Sequence, residues 1–296
     1  MELSRKTLPG SAHENSRRNH SWGNMDIGNW ASIASGSAQM KQIVTMTDEP
    51  AYLPDRNASG FATVDVDPRR YDWQTEDCDE VAGMVAAFVP IGARVLDVGC
   101  GTGSVTQIVA RTRAATLVGI EPDPIRAQIA KERGIDVRNG LLTAETLAKL
   151  GMFDAVLFAD VLEHLPNPQE MLLMVRKALL PGGAVVASIP NVAHWTVRWD
   201  LFRGRFDYQP CGIMDATHLR WFTSDNVTNL FGSAGYSVVE MRHTAGTTLP
   251  DYGRRLPWSR MRPRVRNFLI RRSARLWPLM FGCQHVVRAS LNGDRG

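Results

Sequence analysis

Nowhere in this chain do two cysteines stand as CxxC. Cys78, Cys100, Cys211 and Cys283 are scattered singly, a pattern that argues against a zinc cage and a dense disulfide framework and fits a reducing cytosol. Long apolar runs are also missing: none approaches the roughly 18 residues needed to span a bilayer, and the N-terminal stretch has no apolar block of the kind a signal peptide uses. Residues 1–45, rich in Ser, Asn, Gly and Arg, are expected to form a disordered tail, with 46–72 as a linker. No glycine-lysine-serine or glycine-lysine-threonine follows the glycine-rich stretch, which excludes a phosphate-cradling P-loop. No internal repeat is found. The formal charge of +4 is local in origin, because Arg254 to Arg275 holds nine arginines and no acid, so a uniform nucleic-acid-binding surface is not indicated.

What is present is strand and helix by turns. With 44% hydrophobic residues over 296 positions, the chain can bury a full core. The apolar runs "ARVLDVG", Thr116 to Glu121, Ile135 to Asn139, Phe153 to Asp160 and Ala184 to Pro190 read as buried strands. Helical patterns cover Asp77 to Phe88, Ser104 to Thr112, Pro124 to Arg133, Thr143 to Leu150 and Pro168 to Leu179, the last closed by "PGG". A further helix over Asp225 to Ala234, a strand over Tyr236 to Met241 and a final antiparallel strand in "CQHVVRASL" complete the pattern. The expected fold class is α/β: a Rossmann-like, doubly wound, mostly parallel sheet with helices on both faces.

The stretch "VLDVGCGTGSV" ends the first strand, where open α/β sheets bind ligands. Its spacing is GxGxG, with Ser104 where a dinucleotide fingerprint wants its third glycine, so a dehydrogenase is disfavoured. Glu121 ends the second strand in "VGIEPD", where an acceptor-only carboxylate can take both hydroxyls of a ribose. With "FDAVLFADVLEHLPNP" and "LLPGGAVVASIPN" following in order, residues 73–291 resemble the class I S-adenosylmethionine-dependent methyltransferases. The resemblance implies S-adenosyl-L-methionine as methyl donor and S-adenosyl-L-homocysteine as product. It places Gly99, Cys100, Gly101 and Gly103 against the amino-acid part of the cofactor, Asp97 near its ammonium, Glu121 on the ribose, and Asn139 and Gly140 near the adenine, with Asp160 at the end of the fourth strand. Asn139 departs from the Asp that many relatives carry.

The stretches "IPNVAHWTVRWDLFRGRFDY", "GIMDATHLRWFT" and "LWPLMFGCQHVVRAS" are similar to a subgroup found beside or fused to surface-polysaccharide glycosyltransferases. That similarity implies O-methylation of a sugar, glycolipid or cell-envelope intermediate, and a glycosyltransferase as partner. A quinone or secondary-metabolite acceptor is the alternative within enzymes, and a non-catalytic S-adenosylmethionine-binding protein the alternative outside them. The insertion 191–222, with Trp195, Trp199, Phe202, Phe206 and Tyr208 in its first eighteen positions, is expected to form a substrate lid, with an ordinary structured loop around a small satellite core as the competing account. A hydroxyl acceptor must lose its proton, and histidine suits that task at neutral pH; His164 is the first candidate base, followed by His194 and His218, the last beside Asp215. Asp160 and Asn191 offer oxygen ligands for Mg²⁺, but no third acid joins them, so no metal is expected. In the segment 254–281, Val265, Phe268, Leu269 and Leu276 share a helical face while Arg264, Arg266, Arg271 and Arg275 stay wetter. Two readings stand: docking on an anionic bilayer, which would put a cytoplasmic protein at the inner membrane face, or a helical cover packed on the domain.

Overall fold

The computed structural model describes residues 67–293. The expected tail and the larger part of the expected linker lie outside them. The apolar runs form the strands expected of them: β1 (Arg94–Val98), β2 (Thr116–Glu121), β3 (Asp136–Asn139), β4 (Phe153–Ala159) and β5 (Leu179–Pro190), followed by β6 (Tyr236–His243) and β7 (Gln284–Leu291). They make one sheet in the order β3-β2-β1-β4-β5-β7-β6. The first five strands run parallel, and β7 lies antiparallel between β5 and β6. The order reverses direction at β1, which opens a crevice between the C-terminal ends of β1 and β4.

Burial alternates along the central strands as a doubly covered sheet requires. Val95, Ala155 and Leu157 join one apolar cluster with α1 (Val81–Phe88) and Ile108 and Val109 of α2 (Ser104–Arg113). Leu96, Val156 and Phe158 join the cluster on the other face. Side-chain caps open the helices that follow β2 to β4: Asp123 before α3 (Pro124–Glu132), Thr143 before α4 (Ala144–Leu150) and Asn167 before α5 (Pro168–Val175). The lid insertion contributes α6 (Trp195–Phe202), and α7 (Ser224–Ser233) opens with a capping box on Thr223 and Asn226. The basic segment folds as α8 (Pro250–Arg254), α9 (Pro263–Leu276) and α10 (Pro278–Phe281).

Two boundaries differ from expectation. The helix expected over Pro168 to Leu179 stops at Val175, and β5 begins at Leu179 with Pro181-Gly182-Gly183 inside it. Leu179 pairs with Phe153, the ladder slips, and pairing resumes at Ala184 with Ala155; Gly182, with φ +76, absorbs the irregularity. The helix expected from Asp77 starts at Val81, because residues 76–79 cross over α1 instead of joining it. At the crossing stands Gly83, where an added Cβ would run into the carbonyl of Asp77 and stand 2.8 Å from that of Glu76. Helix propensity alone would favour alanine there by about 1 kcal/mol. We expect Gly83→Ala instead to destabilise the fold by about 1–3 kcal/mol, the cost of overpacking; a rise in the thermal midpoint would contradict the crossing.

Residues 245–282 leave and rejoin the sheet at one rung. Thr244 N donates to Gln284 O (3.1 Å) and Cys283 N donates to Thr244 O (2.9 Å). In between, Tyr252, Ile270 and Ala274 pack into a small core with Ala245. Arg271 and Arg275 reach back to Asp77 and Asp79 in front of α1.

Candidate active site

The glycine loop after β1 separates into two roles. A Cβ on Gly99 would stand 2.7 Å from Val161 Cγ2, and one on Gly103 would run into Ile135 Cδ1; these two glycines let the loop pack against its neighbours. Gly101, at φ +57, faces open space, and it is here that the backbone is free to meet a ligand. Cys100, expected at the cofactor, points the other way: its side chain is buried with Ala127, Ala130 and Val137 against Gly119.

Beneath the loop lie two buried carboxylates. Asp97, 1% exposed, accepts from Thr106 Oγ1 through Oδ2 (2.6 Å), while Oδ1 has no partner among the described residues. Burial, with a smaller push from Glu121, raises its carboxyl to about 7. Such a group suits a cation, and the resemblance places the ammonium of S-adenosylmethionine beside it. Glu121 accepts from Gly101 N through Oε2 (2.8 Å) and from Asp123 N through Oε1 (2.9 Å). Each oxygen keeps a lone pair for a ribose hydroxyl. Asn139 spends its amide nitrogen on the carbonyls of Glu121 and Pro122, leaving its oxygen, and Gly140 opens onto free space at φ +139. The residues thus fit the cofactor that the resemblance implied.

The first described segment crosses this region. Asp72 binds Arg133 (2.6 Å) and Thr102 in the glycine loop. Next to it, Tyr71 Oη and Arg70 Nη2 donate to Asp215 (2.7 and 2.9 Å). Residues 70–72, assigned to a linker by the sequence reading, are therefore bonded into the domain.

Past the end of β4, a cavity is lined by apolar groups of Tyr71, Trp73, Val81, Ile213, Leu249 and Pro250, with a polar corner made by Asp160, Glu163, His164 and His218. Asp160 holds a left-handed backbone conformation, φ +56, and accepts from Ser188 Oγ (2.7 Å). Strain of this kind in a non-glycine residue gathers at functional sites. Glu163 is 1% exposed in the 3₁₀ turn Leu162–His164, and neither carboxylate oxygen has a hydrogen-bond partner among the described residues. Burial, then the charge of Asp160, pushes its carboxyl well above the usual range.

The three candidate histidines part company. His164 Nδ1 lies 3.0 Å from Thr217 O and His218 Nδ1 lies 3.1 Å from Ile213 O. Their rings meet edge to face at 4.8 Å. His194 is elsewhere: fully buried, it caps α6 through Thr196 N and sits 3.3 Å from Tyr252 Oη. It supports the lid and does not line the cavity. The lid meets the cavity through Cys211, Gly212, Ile213 and His218; its aromatics Trp199, Phe202, Phe206 and Tyr208 are exposed instead. Asn191 donates through Nδ2 to the carbonyls of Gly282 and Leu279, and its Oδ1 accepts from Ala193 N (2.9 Å), so the oxygen weighed as a ligand for Mg²⁺ is engaged with the backbone. The residues the sequence reading missed are Glu163, Tyr71 and Asp72, while Asp215, weighed as a partner for His218, instead accepts from Arg70, Tyr71 and Thr217. For Glu163 the one available signal was its place beside His164 in "LEHL".

Residues 63–241 match the family described as Methyltransferase domain. The chain is 31% identical over 197 residues to a ubiquinone biosynthesis O-methyltransferase of Cereibacter sphaeroides, covering 60% of this chain and 74% of that one. The enzyme of the same description from Pseudomonas aeruginosa is 32% identical over 143 residues, 46% of this chain and 57% of its own length. A crystal structure of a SAM-dependent methyltransferase from Archaeoglobus fulgidus superposes with a TM-score of 0.48 at 17% identity, over 72% of this chain and 96% of that one. The glycine loop, the two buried carboxylates and the family match converge: the chain belongs to the methyltransferase-domain family and is an S-adenosylmethionine-dependent methyltransferase.

Proposed function

We propose that the enzyme methylates a hydroxyl oxygen on an acceptor with an apolar body, of the phenol or catechol type, taken up at a membrane surface. The observation that carries this reading is the cavity beyond β4, apolar on most of its wall and polar at one corner beside the glycine loop. A sugar, with hydroxyls on every side, would leave several of them unpaired against such a wall. The two relatives named as ubiquinone biosynthesis O-methyltransferases support the same class of acceptor, which replaces the envelope-glycan acceptor expected from the sequence.

Bound S-adenosylmethionine supplies an electrophilic methyl on sulfur. The chain's own contributions are three. Asp97 and Glu121 fix the donor from below. Tyr71, Trp73 and residues 211–213 limit water around the reacting atoms. The corner of Glu163, His164 and His218 takes charge of the acceptor hydroxyl, whose proton leaves as the carbon–sulfur bond breaks and the carbon–oxygen bond forms.

The test is methyl transfer from labelled S-adenosylmethionine to a prenylated catechol and, in parallel, to a lipid-linked disaccharide. O-methylated catechol with stoichiometric S-adenosylhomocysteine is the expected product. Label found in the glycan alone would overturn the acceptor class.

The membrane part of the proposal rests on α9. Its inner side packs through Ile270 and Ala274, while Val265, Phe268 and Leu276 are 51%, 64% and 54% exposed on the other side, next to Trp277 at 61%. A mere cover would turn these residues inward. Exposed Arg264 and Arg272 stand among them, a basic and apolar face suited to anionic lipid. We expect the protein to sediment with phosphatidylcholine vesicles containing phosphatidylglycerol and not with phosphatidylcholine alone. Phe268→Ser with Trp277→Ser should abolish this without changing turnover of a soluble catechol. Equal sedimentation of the variant would remove α9 from the membrane reading.

A further inference from the structure

We propose that Glu80 is a specificity residue of the acceptor cavity: its free oxygen receives a second hydrogen-bond donor of the acceptor, an O–H or N–H group distinct from the hydroxyl that is methylated. The inference rests on the O-methylation reading and narrows its acceptor to one that carries such a donor and no carboxylate.

The position of Glu80 follows from the chain around it. In "DCDE", residues 77–80, Asp77 and Asp79 pair with Arg271 and Arg275, whereas Glu80 turns into the cavity, 8% exposed. It stands at the N-cap of α1, where a side-chain acceptor ordinarily bonds the free N–H groups of the helix, yet it makes no cap bond. The stretch after β6 fixes it instead. Ala245 N donates to Asp79 O (2.8 Å), and Thr247 N and Thr247 Oγ1 both donate to Glu80 Oε1 (3.0 and 2.7 Å). Among the described residues nothing donates to Oε2, and no Lys or Arg pairs with Glu80.

A role confined to bracing Thr247 accounts for one oxygen and leaves the other without a use. The carboxylate is rigidly held, and its second oxygen belongs to a residue that lines the cavity. An acceptor without a matching donor would strip solvent from Oε2 and return nothing, which is how a buried polar group discriminates between close analogues. Charge points the same way. Glu80, Asp160 and Glu163 line the cavity and no Lys or Arg does, so an acceptor carboxylate would meet like charge on entering. The rings of Tyr71 and Trp73 on the same lining suit a cationic substituent as well as an apolar ring. Glu80 also lies near the methylation corner: the Cys283 thiol is pushed up by burial and then by Glu80 and Asp160, so one small acceptor can reach both.

The test uses full-length protein and prenylated catechols that differ at a single ring position, bearing methyl, hydroxymethyl, aminomethyl or carboxyl there. Binding is measured by calorimetry with S-adenosylhomocysteine present, and transfer with labelled S-adenosylmethionine. The hydroxymethyl or the aminomethyl compound should bind about tenfold or more tighter than the methyl compound, the effect of a hydrogen bond to a charged group, and the carboxyl compound should bind weakest. Whichever leads identifies the donor as a hydroxyl or an ammonium. In Glu80→Gln the two donors of Thr247 hold the amide oxygen, so the amide N–H₂ takes the place of Oε2. The aminomethyl compound should then fall to the level of the methyl compound or below, and the carboxyl compound should gain about tenfold or more. A wild type that binds all of them alike, or none, overturns the proposal. So does a Glu80→Gln protein that keeps the wild-type order of binding together with the wild-type melting temperature and affinity for S-adenosylmethionine. If the order appears in binding but no catechol is methylated, the O-methylation reading fails and the role of Glu80 stands. If all are methylated with equal kcat/KM and bind equally, the role of Glu80 fails and O-methylation stands.

Discussion

Asp97→Asn should lower the affinity for S-adenosylmethionine by about 3 kcal/mol or more, the scale for removing one partner of a buried ion pair. The asparagine keeps the shape of the site and an acceptor for Thr106, but cannot oppose an ammonium. The wild type should also bind in a pH-dependent way. Burial holds the Asp97 carboxyl at about 7 in the free protein, whereas the ammonium needs the carboxylate. Below that value binding must first expel a proton, so affinity should fall by about tenfold per pH unit. Above it the affinity levels off. The free protein shows the opposite trend: a carboxyl raised in the fold favours folding at low pH, and that contribution is lost as pH rises through 7. Asp97→Asn should therefore not lose stability at pH 8 without cofactor. Calorimetric titrations from roughly pH 5.5 to 8 decide the matter, and a flat profile in the wild type would show that Asp97 does not meet the ammonium.

Acid should unfold this protein early. His285, on β7, is fully buried with both ring nitrogens unpartnered, and burial, helped by neighbouring His243, pushes it down to about 3. His194 is held at about 3, again chiefly by burial. Both ordinarily titrate near 6.5. With a folded value below the unfolded one, the neutral form is favoured in the fold, so stability is complete above 6.5 and drains away as pH falls toward 3. Each histidine contributes a slope of about 1.4 kcal/mol per pH unit, or about 2 kcal/mol lost per histidine by pH 5. Urea unfolding at pH 7 and pH 5 measures the loss. His285→Leu, which fills a similar volume without a titrating group, should reduce the loss by about 2 kcal/mol. An unchanged acid sensitivity in that variant would show that His285 takes up no proton on unfolding.

The half of the fold that carries the glycine loop was readable because its signals are local. Apolar runs mark buried strands, the glycines mark a tight turn at a strand end, and Glu121 lies one strand further on. The acceptor side was not readable in that way. Glu163 and His218 are far apart in sequence and meet only because residues 219–220 return to the turn after β4. Tyr71 and Arg70 find Asp215 across 144 and 145 positions, and nothing periodic in "PRRYDW" announces it. His194 was misread because histidine is an uncommon helix cap; the usual signal is Ser, Thr, Asp or Asn. The aromatics of the lid were assigned to the substrate because aromatic residues suit an enclosing wall, yet they pack on one another at the surface. Hydrophobic type does not say which side of a loop faces the site. On α9 the pattern did reveal a shared face for Val265, Phe268 and Leu276, and only the packing of Ile270 and Ala274 decided which way it points.

The single rung at which residues 245–282 depart from and return to the sheet makes that stretch an exchangeable cassette. Its ends are already held together by Thr244, Gln284 and Cys283, so its length can change without moving a strand. The same stretch supplies Gly246, Thr248, Leu249 and Pro250 to the acceptor cavity and the exposed face of α9 to the outside. A swap of this one segment between relatives would therefore change together what the enzyme accepts and the surface from which it collects it, while leaving its hold on the methyl donor as it was.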